Sequence, residues 1–483
     1  MQELKHRGYL GLVRSHLDRQ LKYGLADFGP SPSPMWMSSL DTRTGKYPEN
    51  DSRPVHIPRR HYRAIDAPKG CSLYWDQPSC VAAHALSKIT GEKSYGAAVD
   101  SYVSAFLERC IAKNGIFLWG NHYYWDAFQG KTLKFKGEEV PKSVDFEIEN
   151  GDYHEARPIP PAWDLFWKVS PEKTEKEIRA YCLNSFFDLK TGGFNRHSDR
   201  KKGCAFIESG GIIAESLAWL YGKTNDKSLL DQANLIINYS FTEKGLETGL
   251  LVNNPTVTRW DKFASTTECG LWGGSLLRAS ACAGRKTEWI EKASSAVSAY
   301  LKYGYDESSD KYWGRLRVAD GSPIIGKSES DKPNDISEKH QPLDYADIWR
   351  PLFPAHDYPM QFAECCLCIY EITGEEIYRE ACDRWVRQIK ESLSDRNHGK
   401  YAEHYGRCIH FLLRFGKDSK NSEYLKLAQT LADEAVETLF DNGMFRGHPG
   451  EHRYDAVDGV GFLMLALLCL ETDNEIDMMG MGW

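Results

Sequence analysis

The chain has 483 residues, 41% of them hydrophobic and 27% charged, with a net charge of −8; a large core is possible and bulk disorder is excluded. Its 60 Lys and Arg against 68 Asp and Glu argue against a dedicated nucleic-acid binder, which carries a basic surplus. No window approaches the ~18 unbroken apolar residues of a membrane span, so no membrane partner is expected.

Read in chain order, a polar helix over 2–24 comes first, followed by one recurring unit. An apolar helix ends in a short polar turn and a second, amphipathic helix follows. The plainest copies turn at Ile89-Thr90-Gly91-Glu92 and Ile372-Thr373-Gly374-Glu375, where glycine closes the first helix and polar residues open the second. The predicted first-type helices are 76–90, 160–169, 208–223, 267–283, 357–373, 401–416 and 455–471. Their partners are 93–113, 171–189, 226–241, 286–303, 375–395 and 420–439, with the N-terminal helix left to pair with the last. A set that closes on itself suits a ring better than an open solenoid with polar end caps. The pattern therefore predicts an all-α fold, an α/α toroid (barrel) of six to seven helical hairpins. Seven, (α/α)7, is favoured, in one domain over 1–473 with a tail at 474–483. First-type helices, apolar nearly all round, suit the inner ring, and the amphipathic ones suit the outer ring.

Inner-to-outer turns are short, but the return connections are long: 25–75, 114–159, 190–207, 242–266, 304–356 and 440–454. Long loops in a compact fold are usually functional. They gather where the inner helices begin, an end whose partial positive charge favours anions. The first loop runs Arg53-Pro54-Val55-His56-Ile57-Pro58-Arg59-Arg60-His61-Tyr62-Arg63, either a solvated basic loop or a rim that guides an anionic chain. Trp119, Tyr123 and Trp125 could stack on sugars or pack under their loop. His122, His154 and His197 stand in three loops of the same face, with Asn195 and Arg196 beside the last.

The loop 304–356 closes on Trp349-Arg350, and His356-Asp357-Tyr358-Pro359 follows. Proline suits a first helical turn, which sets Tyr358 at the mouth of an inner helix. A tyrosine near an arginine and a helix N-terminus has its pKa lowered from ~10; capping the helix or packing on Trp349 is the alternative role. Tyr401-Ala402-Glu403-His404-Tyr405-Gly406-Arg407 gives the sixth inner helix a polar face. Asp455 and Asp458 read as caps first and acids second. No nucleotide-binding or metal-protease motif occurs, so no cofactor and no metal are expected. The thirteen cysteines form no paired CxxC set. With the polar start they suggest free thiols in the cytoplasm, or a periplasmic or secreted protein if a signal peptide precedes this sequence.

Together Asn195-Arg196-His197, His356-Asp357-Tyr358-Pro359, the segment Tyr401 to Arg407 and Ala456-Val457-Asp458-Gly459-Val460-Gly461-Phe462 make the chain resemble the α/α-toroid polysaccharide lyases. The resemblance is closest to the alginate and glucuronan lyases of polysaccharide lyase family 38. It implies β-elimination at a 4-linked uronate in an anionic polysaccharide or oligosaccharide. Tyr358 would be base and acid, Arg350, His197 and Asn195 catalytic partners. His122, His154, Arg196, Trp119, Tyr123, Trp125, Tyr405, His404 and Arg407 would bind substrate. Residues 198–339 hold no histidine, a departure from the family pattern that leaves the charge neutraliser and the exact substrate open. Other toroids share such hairpins. A glycoside hydrolase acting on uronosyl oligosaccharides, using two of Asp76, Glu155, Asp357, Glu403 and Asp455, is one alternative. A sugar 2-epimerase and a non-catalytic carbohydrate-binding toroid are others.

Overall fold

The computed structural model describes residues 8–48, 69–120, 123–134, 159–255, 262–326, 344–349, 359–394, 400–473 and 475–482. Among these lie fourteen α-helices. Seven form an inner ring: α2 (Leu73–Thr90), α4 (Trp163–Val169), α6 (Ile207–Thr224), α8 (Thr266–Cys282), α10 (Met360–Thr373), α12 (Ala402–Asp418) and α14 (Val460–Thr472). Seven lie outside: α1 (Gly8–Tyr23), α3 (Ser94–Arg109), α5 (Pro171–Ser185), α7 (Lys227–Tyr239), α9 (Thr287–Gly304), α11 (Glu376–Glu391) and α13 (Ser422–Leu439). Successive inner helices pack side by side from α6 round to α14, and α14 packs on α2. The short α4 completes the circuit. Ala162 donates its N–H to Gln77 Oε1 of α2 at 2.7 Å, and Trp163 Nε1 donates to Ser216 Oγ of α6 at 3.0 Å. Helix α1 packs against α14, so the first and last helices form the seventh hairpin. The fold is an α/α toroid, and the count is seven.

The turns follow the predicted chemistry. Gly91 and Gly374 end α2 and α10 with φ of 76° and 69°, returning their N–H groups to Ser87 O and Tyr370 O; this left-handed conformation costs glycine least. Inner helices approach closely where a side chain is missing. A β-carbon on Gly461 of α14 would fall 2.3 Å from Ser79 N in α2, so only glycine permits that crossing.

Two features depart from the predicted pattern. The chain leaves α5, α9 and α13 directly into two-stranded hairpins, Phe186–Asp188 with Gly193–Phe194, Tyr305–Asp306 with Lys311–Tyr312, and Phe440–Asp441 with Met444–Phe445. The predicted helix 171–189 thus stops at Ser185, where Phe186 and Phe187 favour an extended chain. Helix 160–169 starts only at Trp163, because a proline disfavours the helical conformation in the residue before it, which acts on Ile159 and Pro160. An antiparallel pair, Ser39–Asp41 with Arg453–Asp455, ties the two ends of the sequence together at Leu40 and Tyr454. No described helix is long and apolar enough to cross a membrane.

Candidate active site

The inner helices are not apolar all round. Their opening turns carry buried acids: Asp76 on α2, Glu208 on α6, Glu268 on α8, Glu364 on α10 and Glu403 on α12. On α12 the residues Glu403, Arg407, His410, Arg414 and Lys417 recur every three or four positions, hence on one face. Arg407 donates from Nε to Glu403 Oε1 at 2.8 Å and from Nη1 to Glu364 Oε2 of α10 at 2.9 Å. All three side chains are buried. Burial pushes the Glu364 carboxyl up, and the Arg407 guanidinium opposes that shift. One turn further, Arg414 pairs with Glu371. Burial, reinforced by Arg414 and Arg407, holds His410 well below its ordinary pKa.

Neighbouring inner helices add two carboxylate contacts. Glu208 on α6 donates its backbone N–H to Glu268 Oε2 of α8 at 3.3 Å. Arg278 on α8 grips Glu215 of α6 with two bonds, Nε–Oε1 at 2.8 Å and Nη2–Oε2 at 3.0 Å. Asp76 accepts from Ser38 Oγ at 2.8 Å and Tyr102 OH at 2.6 Å. Burial nonetheless pushes its carboxyl up to about 7, the two hydrogen bonds opposing and nearby Asp455 adding to the rise. A narrow cleft lies between α8, α10 and α12, lined by Gly270, Arg278, Gln361, Glu364, Arg407 and Gly482 among others.

The expected site residues divide into three groups. Tyr358, Arg350, His122, His154 and the stretch from Arg53 to Arg63 lie outside the described residues, as do Glu155 and Asp357. A second group is core. Trp119 is 1% exposed and packs against Tyr74, Phe106, Phe117 and Phe166 at 5.3–5.8 Å between ring centres. Tyr123 and Trp125 are buried in a hairpin, with the Arg109 guanidinium 5.1 Å over the Trp125 ring. These three aromatics are corrected from stacking platforms to packing: an enclosed ring offers no face to a sugar. Arg407 lines the cleft, where both carboxylates that it meets are buried and hold it in place. Tyr405 is held there too, its hydroxyl donating to Glu434 Oε1 of α13 at 2.7 Å. Burial and that carboxylate raise its phenol. His404 is buried, its ring 6.4 Å from Trp349 and 6.0 Å from Tyr401.

The third group is the loop 195–204. Asn195 is buried, and both ends of its amide serve the loop. Nδ2 donates to Asp199 Oδ1 at 2.9 Å, and Oδ1 accepts from His197 N at 3.3 Å and Cys204 N at 3.1 Å. Asn195 therefore shapes the turn that presents Arg196 and His197, both partly exposed. Arg196 lies 4.8 Å over the Phe206 ring. The acids Glu208, Glu268 and Glu364 went unread in the sequence. Their signal was present: each is a glutamate early in a mostly apolar inner helix, where burying a charge is costly. The described residues contain no group of three or more His, Cys, Asp or Glu arranged to hold a metal.

Residues 81–208, from the middle of α2 to the first turn of α6, match the family model described as periplasmic pectate lyase. Solved structures similar to the chain as a whole include an alpha-1,6-mannanase of glycoside hydrolase family 76 from Salegentibacter sp. HEL1_6. It is 11% identical with a TM-score of 0.48, the alignment covering 97% of this chain and 100% of that one. An alpha-mannanase of the same family from Bacteroides thetaiotaomicron is 13% identical, with a TM-score of 0.49 and coverage of 98% and 99%. Cellobiose 2-epimerase from Bacillus thermoamylovorans B4167 is 10% identical, with a TM-score of 0.49 and the same coverage.

Proposed function

We propose that this protein is a polysaccharide lyase that cleaves a 4-linked uronate polymer or oligomer, alginate, glucuronan or a related chain, by β-elimination. The observation that carries the reading is the lyase-family match over 81–208, a segment that includes the Asn195-Arg196-His197 loop. That family's description also makes the periplasm a better-supported location than the cytoplasm. The match ends at Glu208, so the rest of the site rests on the sequence resemblance.

The C5 proton of a uronate is barely acidic while its carboxylate keeps a full charge. Cationic and hydrogen-bond donors around that carboxylate stabilise the enediolate-like transition state. Arg350 and His197 are given that task, with Arg196 as a binding residue. Asn195 acts one step back, by holding the turn on which Arg196 and His197 stand. Tyr358 as phenolate takes the C5 proton, and the phenol returns it to the departing O4. One residue serves both steps when proton and leaving group share a face of the sugar.

The test is a pair of variants. Tyr358→Phe should lower turnover by about 10²–10⁴-fold or more while binding stays nearly intact, because only the proton carrier is lost. Arg350→Ala should weaken both turnover and affinity, since a guanidinium pairs with the ground-state carboxylate too. Near-normal turnover by Tyr358→Phe would remove that residue from the mechanism.

One observation favours a second reading, glycoside hydrolysis. Glu208 and Glu268 are buried acids near the starts of adjacent inner helices, the Glu208 backbone N–H donating to the Glu268 carboxylate, and a hydrolase needs two carboxyl groups across the scissile bond. Product chemistry separates the two, because a hydrolase leaves no double bond.

A further inference from the structure

The stretch after α14 does not trail away from the ring. It turns inward and lines the cleft. Asp473 pairs with Lys417 at the end of α12 at 2.6 Å. Ile476 and Met478 then pack against the core. Met479 O accepts the N–H of Asp164 on α4 at 3.0 Å, and Gly482 N donates to Pro160 O at 3.3 Å. Met481 is 3% exposed. The backbone lies tight against the inner helices. A β-carbon on Gly480 would fall 3.2 Å from Trp219 Nε1 of α6, and one on Gly482 would fall 2.7 Å from Arg278 Nη2 of α8. One short segment thus meets α4, α6, α8 and α12 in turn.

Its position along the ring axis is the informative part. Gly270 and Gln361 sit in the opening turns of α8 and α10, whereas Arg278 and Cys368 sit in their later turns. All four line the cleft, and so do Gly482 and Pro160. The cleft therefore runs inward from the side of the long loops and meets Gly482. A toroid without this segment would be open further along its axis.

We infer that the segment Glu475–Gly482 is the floor of the substrate funnel, a built-in stop that limits how far a sugar chain can enter and so favours attack near a chain end. The inference rests on the polysaccharide-cleaving reading and adds to it the mode of attack. The segment meets the cleft at Gly482, with Pro160 beside it, and Arg278 is fixed against it by Glu215. An incoming sugar would thus meet a rigid wall with a guanidinium at its edge, suited to the carboxylate of a terminal uronate.

Two variants test this, each checked for folding by thermal melting. The first removes residues 475–483. The second, Gly274→Leu, keeps the segment and fills the cleft instead: a β-carbon there meets only the end of the Arg278 side chain, at 3.2 Å. Viscosity loss per chain end formed is measured on a polyuronate, together with product lengths by mass spectrometry. Affinities are measured for oligouronates of increasing length. The intact protein should lower viscosity slowly, release short products from the earliest times, and gain no affinity beyond a fixed oligomer length. Deletion should steepen viscosity loss several-fold and extend the length at which affinity levels off; Gly274→Leu should shorten that length. If the deleted chain does not fold, Gly274→Leu alone decides. An unchanged length plateau in the folded variants overturns the inference. Counting both double bonds and reducing ends keeps the outcomes apart: ends without double bonds defeat the lyase reading and leave the floor standing. If neither form cleaves any polymer, the length plateau still tests the floor.

Discussion

The two ends of the ring treat charge in opposite ways. Where the inner helices end, charges sit in water as pairs. Lys168 meets Asp100 at 2.7 Å with side chains 48% and 37% exposed, and Lys223 meets Asp164 at 2.7 Å. Where the inner helices begin, Asp76, Glu208, Glu268, Glu364, Glu403 and Arg407 are withdrawn from solvent. Exposed pairs contribute little and cost little, about 0–1 kcal/mol each. Buried charges carry a desolvation penalty that pairing only partly offsets. A molecule built for stability alone would place apolar side chains there. The long connections lead into the inner helices at this second end, so the costly charges stand where those connections join the ring.

Three variants would break or sharpen the contrast. The largest effect belongs to Arg407→Leu, which leaves Glu364 and Glu403 facing each other without their cation. It should destabilise the fold by about 3–5 kcal/mol in urea denaturation. A cost below ~1 kcal/mol would mean that the triad is effectively wet and the contrast false.

Asp76 comes next, through pH. Its folded pKa of about 7 lies above the ordinary 3.8, so the folded state holds the proton more tightly than the unfolded chain does. Its contribution should be fully present below the ordinary value, decline as pH rises toward 7, and stay lost above. Asp76→Asn should flatten that decline, which is on the order of a few kcal/mol across the window. Parallel stability curves for the two proteins between pH 4 and 7 would show that burial does not govern this carboxyl.

The smallest effect is Lys168→Ala at the other end of the ring. It should cost no more than ~1 kcal/mol and fade in high salt. His84 Nε2 remains 3.2 Å from the same Asp100. A loss comparable to that of Arg407→Leu would erase the difference between the two ends.

The architecture was largely legible in the sequence, because helix periodicity and glycine caps are local signals. Thr90-Gly91 and Thr373-Gly374 end their helices where the pattern placed them, and Pro359 stands as the N-cap residue of α10. The hairpins after α5, α9 and α13 were less visible: two- or three-residue strands carry no periodicity, and Asn442-Gly443 was the one plain turn signal. The site was far less legible. Whether Trp119 faces a sugar or a core depends on what covers it, and Tyr74, Trp163 and Phe166 come from distant parts of the sequence. Tyr405 shared a helical turn with Arg407 yet points to Glu434 on the outer ring. Spacing put it on a polar face but could not say which neighbour that face would meet.

The central claim is β-elimination, and one measurement tests it most directly: an ultraviolet scan during digestion of a panel of polyuronates, with new reducing ends counted in the same samples. The account predicts that on at least one member of the panel an absorbing C4–C5 double bond appears in step with each new reducing end. New reducing ends without that absorbance would contradict it and point to hydrolysis. A change in sugar configuration with chain length unaltered would contradict it as well.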